Sequence, residues 1–166
     1  MNLEDKVNKL SKSDFISIFG NVFEKTEWIA EKTYDLKPFT DFEEISHMMI
    51  DIFENSKTDD LLKILNSHPE LAVEKIMTQD SKKEQANAQL NSCTEEELAE
   101  FLKLNKDYKK KFNFPFIIAV KGMNKKEILH NFRNRVSNEI NLEFEEAKNQ
   151  VKKIALIRLN QIIEIN

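Results

Sequence analysis

Glycine occurs 2 times and proline 3 times in this chain of 166 residues, so it has little of the residue chemistry that tight hairpin turns require. That scarcity argues for helices joined by short connections. A single cysteine, Cys93, excludes an internal disulfide framework and cannot by itself build a thiolate metal site. Positive charge is not in excess either. With 25 Lys and Arg against 29 Asp and Glu, the net charge of −4 gives no reason to expect a nucleic-acid partner. No apolar run reaches the length of a membrane span; the longest covers 114–120 and contains Pro115. The residues Met1-Asn2-Leu3-Glu4-Asp5 lack the apolar core of a secretion signal, and Glu164-Ile165-Asn166 is no peroxisomal address. A cytoplasmic protein with no membrane partner is the expectation.

What is present is apolar periodicity under a coat of lysine and glutamate. Phe15, Ile18, Phe19, Val22 and Phe23 recur as one face of a helix, predicted to start at Ser13. Trp28 and Ile29 belong to a short second helix, and Pro38 breaks the chain. A third helix from Thr40 or Asp41 turns Ile45, Met48, Met49, Ile52 and Phe53 inward. A fourth from Thr58 or Asp59 carries Leu61, Leu62, Ile64 and Leu65, and stops at His68-Pro69. Short helices are predicted over 70–77 and 81–90. Thr94 and Glu97 have capping-box spacing and open a long helix through Leu98, Phe101, Leu102, Leu104 and Tyr108. Residues 112–120, aromatic, β-branched and interrupted by Pro115, read as extended. One such segment cannot make a sheet alone, so it is expected to cross the core as a buried non-helical stretch. Gly122 ends it, Asn124 caps a helix through Ile128, Leu129, Phe132 and Val136, and a last helix runs over about 138–163. The expected fold is all-α: a single-domain multi-helix bundle over 1–166 with one short extended buried segment.

Few residues in this pattern carry chemistry. The ring of Pro69 keeps His68 out of the helical region, so this histidine is presented at the end of one helix before the next begins. Ser81 and Glu84 have the spacing of a capping box, which would explain both without a ligand. A helix amino end also suits an anion, and the two readings are compatible. Arg158 falls inside the apolar stripe of the last helix, among Ala147, Val151, Ile154, Ala155 and Ile162. A guanidinium aimed at a core needs an acceptor: a carboxylate of the chain itself or an anionic ligand, unless it snorkels past the core edge. His47 and His130 read as surface residues. The three histidines lack metal-ligand spacing, and no metal is indicated. There is no Gly-rich phosphate loop and no nucleophile elbow.

Four motifs occur in order: His68-Pro69-Glu70-Leu71-Ala72, Ser81-x-x-Glu84-Gln85, Lys111-Phe112-Asn113-Phe114-Pro115-Phe116-Ile117-Ile118, and Lys153-Ile154-Ala155-x-x-Arg158-Leu159. Together they resemble the OHCU decarboxylase family, which acts on 2-oxo-4-hydroxy-4-carboxy-5-ureidoimidazoline in urate breakdown. The resemblance covers about 11–163. It implies an all-helical fold, a homodimer, a small-molecule ureidoimidazoline substrate and no cofactor, with CO2 and (S)-allantoin as products. His68 matches the catalytic histidine and Glu84 its acidic partner. Ser81, Gln85 and Arg158 match substrate-holding positions, and Pro69 a lining position. Phe116, Ile117, Ile118, Ala119 and Val120 match the segment whose backbone lines the substrate. The chain departs from the family in having Ala86-Asn87-Ala88-Gln89-Leu90 where an Ala-Gly-Ala-Gly-Leu-like run is common, and Asn113 where glycine is usual. Two other functions stand beside this one: a non-catalytic helical interaction module, and a decarboxylase for a related ureido acid.

Overall fold

A computed structural model describes residues 2–73 and 78–165. Among the described residues all regular structure is helical, in the order α1 (Leu3–Asn8), α2 (Lys12–Phe19), α3 (Glu27–Tyr34), α4 (Phe42–Glu54), α5 (Thr58–Ser67), α6 (Gln79–Asn87), α7 (Glu95–Phe112), α8 (Lys125–Arg135) and α9 (Ile140–Ile165). No described helix is long and apolar enough to cross a membrane. The chain divides into two compact units, Met1–Ser67 with Lys152–Asn166, and His68–Val151.

In the first unit α2 packs on α3 and α3 on α4. The α2 cap is Ser11, two residues earlier than expected: its side chain accepts from the Asp14 N–H, so the helix begins at Lys12. That helix ends at Phe19. Val22 and Phe23 therefore reach the core from the turns that follow, whereas Ile18, expected on the buried face, is exposed. Helix α4 follows its periodicity closely. Ile45, Met49 and Phe53 are fully buried, with Met48 and Ile52 half-buried at the flanks. Phe15 meets Phe19 at a ring-centroid distance of 4.5 Å and Phe23 stacks on Phe53 at 5.1 Å, so aromatic contact accounts for much of this core.

The second unit is built around α7 and the segment after it. Asn113 closes α7 in the left-handed region, at φ 63°. Asparagine tolerates that region better than other residues with a Cβ. The chain then runs extended, and Phe114, Phe116, Ile117, Ile118 and Val120 are buried. Phe116 stacks on Phe132 at 3.9 Å, and Tyr108 meets Phe116 edge-on at 5.4 Å. Side chains supply the hydrogen bonds that a neighbouring strand would otherwise give. Arg135 Nη1 donates to the Ile117 carbonyl at 2.7 Å, and Gln150 Oε1 accepts from the Ala119 N–H at 2.9 Å.

The helix expected over 70–77 is corrected in its first half. Residues 71–72 form a turn, with Ala72 left-handed at φ 58°, and 74–77 lie outside the described residues.

Candidate active site

Residues 68–73 leave α5 at a proline that cannot continue it, and two amide side chains catch the loop. Gln85 Oε1 accepts from the Ala72 N–H at 3.1 Å, and Gln85 Nε2 donates to the Glu70 carbonyl at 3.3 Å. Asn105 Nδ2 donates to the carbonyl between them, that of Leu71, at 3.0 Å. The Glu70 carboxylate lies 3.8 Å from Lys109 Nζ, one turn beyond Asn105 on α7. His68, at the start of this loop, is 8% exposed, whereas His47 and His130 are exposed. Only one of the three histidines is thus shielded from water.

Helix α6 carries three of the predicted residues on one face, since positions three and four apart are neighbours on a helix. Ser81 and Gln85 are buried and Glu84 is half-buried. The capping-box reading of Ser81 and Glu84 does not hold. Thr78 is the cap, its side chain accepting from the Ser81 N–H at 3.3 Å, so Ser81 sits inside the first turn and only its backbone is capped. The reason is local: α6 starts at Gln79, two residues before the serine whose spacing to Glu84 suggested a cap.

The residues that departed from the family pattern have backbone consequences. Gln89 stands at φ 65° and Asn113 at φ 63°, both left-handed and both where the resemblance expects glycine. Asn87 and Gln89 are exposed.

Phe116 to Val120, the predicted lining segment, is fixed by Arg135 and Gln150 as described above. Arg135 itself belongs to a buried network. Its Nε donates to Glu143 Oε1 at 2.6 Å, and Tyr108 Oη donates to the same oxygen at 2.8 Å. Asn138 Nδ2 donates to Glu143 Oε2 at 3.1 Å, and the Arg135 guanidinium lies 4.4 Å over the Phe116 ring. Burial, and then the Glu143 carboxylate, push the Tyr108 phenol above its ordinary 10.0.

Arg158 belongs to the other unit. It is 3% exposed, and its Nη2 donates to Glu24 Oε2 at 2.9 Å while Nη1 donates to the Asn21 carbonyl at 2.8 Å. An internal carboxylate, one of the two acceptors its position demanded, is therefore present. Cys93 is no candidate nucleophile: burial and the nearby Glu97 push its thiol up, away from thiolate.

Several buried polar residues escaped the sequence reading. Asn105 lies on the stripe that includes Phe101 and Tyr108. Glu143 lies one turn before Ala147 on the α9 stripe, and Gln150 lies at the edge of that stripe. The argument that singled out Arg158, a polar group on an apolar face, applies to each.

A family model described as OHCU decarboxylase matches residues 8–160. The chain belongs to the OHCU decarboxylase family. Among its relatives, the uric acid degradation bifunctional protein of Bacillus sp. (strain TB-90) is 37% identical over 157 residues, which are 95% of this chain and 31% of the relative. The chain thus spans under a third of that bifunctional protein. The 2-oxo-4-hydroxy-4-carboxy-5-ureidoimidazoline decarboxylase of Haloferax volcanii is 34% identical over 154 residues, 93% of this chain and 92% of the relative. A crystal structure of OHCU decarboxylase in the presence of (S)-allantoin is similar with a TM-score of 0.74 and 27% identity, covering 87% of this chain and 96% of that one.

Proposed function

We propose that the chain removes CO2 from 2-oxo-4-hydroxy-4-carboxy-5-ureidoimidazoline and yields (S)-allantoin, with His68 moving the proton. The observation that carries this reading is the burial of His68 in a loop held by two amides, within a chain matched to the decarboxylase family over 8–160. The chemistry needs no external electron sink. When the bond from C4 to the carboxylate breaks, its electron pair passes into the ring C=N, and that nitrogen takes a proton from solvent. The enol left at C4 then becomes a carbonyl. Neutral His68 takes the enol proton, and the imidazolium returns it to the ureido-bearing carbon on one face. Substrate anion and one solvent proton thus give neutral allantoin and CO2.

Glu84, three residues from Ser81 on α6, is proposed to orient His68 or to accept from the ureido N–H groups. Ser81 and Gln85 hold the substrate's polar edge; Gln85 has a second amide N–H besides the one on Glu70. Pro69 and the Phe116 to Val120 backbone line the ring. Arg158 offers a planar fork to a carboxylate or carbonyl, its position fixed by Glu24. The proposal takes 1–166 as one decarboxylase domain, because the family match spans both compact units. A homodimer in the cytoplasm completes it, measurable by light scattering and by cell fractionation.

His68→Ala tests the role of the imidazole. Turnover is expected to fall by about 100-fold or more, the usual contribution of a positioned proton donor or acceptor, with the helical circular dichroism unchanged. Wild-type turnover in the folded variant would remove His68 from the reaction.

A further inference from the structure

We propose that Asn105 is a positioning residue for His68, acting through the backbone of residues 69–72; this rests on the reading of His68 as the proton-moving group. Neither the sequence pattern nor the resemblance assigns Asn105 a role. It lies on the buried face of α7, 4% exposed, with Nδ2 on the Leu71 carbonyl at 3.0 Å. With Gln85 from α6, it fixes three successive backbone groups: the carbonyls of Glu70 and Leu71 and the N–H of Ala72.

Stiffness then carries that constraint back to the imidazole. Pro69 has its φ locked by the ring, and His68 is confined to the extended region because it precedes a proline. Few torsions between the held carbonyls and the His68 Cα are free to relax. Ala72, left-handed at φ 58°, occupies a conformation that a residue with a Cβ adopts only when its surroundings enforce it, and the Gln85 bond to its N–H is part of that enforcement.

Asn105 Oδ1 is buried with no hydrogen-bond partner among the described residues, which adds a desolvation cost to the amide. A leucine of similar shape would avoid that cost but would leave the Leu71 carbonyl without this donor, so melting temperature and the state of His68 are read separately below.

The test compares the wild type with Asn105→Leu and with Asn105→Gln, which keeps a donor on a longer arm. Asn105→Ser, whose hydroxyl is too short to reach, repeats the leucine experiment with less bulk should leucine prevent folding. Imidazole proton and carbon resonances are recorded for all three histidines, and kcat and KM are measured separately. The exposed His47 and His130 serve as internal references. In Asn105→Leu the His68 resonance is expected to shift and broaden while the other two stay in place. In the same variant kcat falls about tenfold or more, the scale set by a misplaced reacting group, while KM changes by less than about threefold. Asn105→Gln recovers part of both. An unmoved His68 resonance with wild-type kcat in a folded variant would overturn the proposal, as would a lowered melting temperature with no other change. If wild-type protein shows no decarboxylation, the functional reading fails by itself, and the histidine resonances still decide whether Asn105 positions the loop.

Discussion

A charge on an apolar stripe is conspicuous in a sequence, but its partner often is not. Arg158 was legible because it interrupts the α9 stripe, and the structure gives it a carboxylate. That carboxylate, Glu24, sits in the turns after α2, where no periodicity marks which side chains face inward. His68 was legible for a different reason, the proline that follows it. Asn105 and Glu143 were missed because asparagine and glutamate on a helix are common enough to pass as surface. Backbone strain is also a single-residue property. Gln89 holds φ 65° with a Cβ, which costs about 1 kcal/mol relative to glycine. Gln89→Gly is therefore expected to stabilise the protein by roughly that amount, less whatever flexibility glycine adds to the unfolded chain. Chemical denaturation measures it, and a variant less stable than wild type would show that the Gln89 side chain contributes more than its strain costs.

Element existence followed from apolar spacing, whereas element boundaries followed from caps. Helices α4, α7 and α8 begin within a residue or two of their expected starts, because Asp41, Thr94 and Asn124 are strong caps with an apolar run behind them. Helix α6 shows how this fails. The spacing pointed to Ser81 as the cap, and Thr78, three residues earlier, holds that place. The buried extended segment was legible from Pro115 and its aromatic neighbours, but the side chains that replace a partner strand come from distant α8 and α9. At this scale Tyr108, Arg135 and Glu143 join α7, α8 and α9 through one carboxylate oxygen. The phenol's raised pKa has a consequence with a definite sign. Below pH 10.0, tyrosine is neutral in folded and unfolded chains and its stabilising contribution is complete. Above that value the unfolded chain ionises while the folded phenol keeps its proton, so stability falls as pH rises, by up to about 1.4 kcal/mol per pH unit. Urea midpoints measured from neutral to alkaline pH should show this loss, and Tyr108→Phe should remove that component of the slope. An unchanged slope in the variant would mean that the folded phenol ionises normally.

For the whole molecule, composition excluded more than it identified. Scarce glycine and proline pointed to helices, while net charge and cysteine count named no reaction. A family became legible only through four short motifs in order, each weak alone, and the family match over 8–160 bears out that resemblance. Sequence spacing could not have shown that Gln85 and Asn105 grip one loop, because that contact joins residues 13 and 34 positions apart. The central claim is the reaction itself, and one measurement tests it most directly. Urate is oxidised in the presence of hydroxyisourate hydrolase, with and without this protein, while circular dichroism follows allantoin. A fast (S)-allantoin signal above the slow racemic background is the predicted result. A signal that stays slow and racemic with folded protein present would contradict the account.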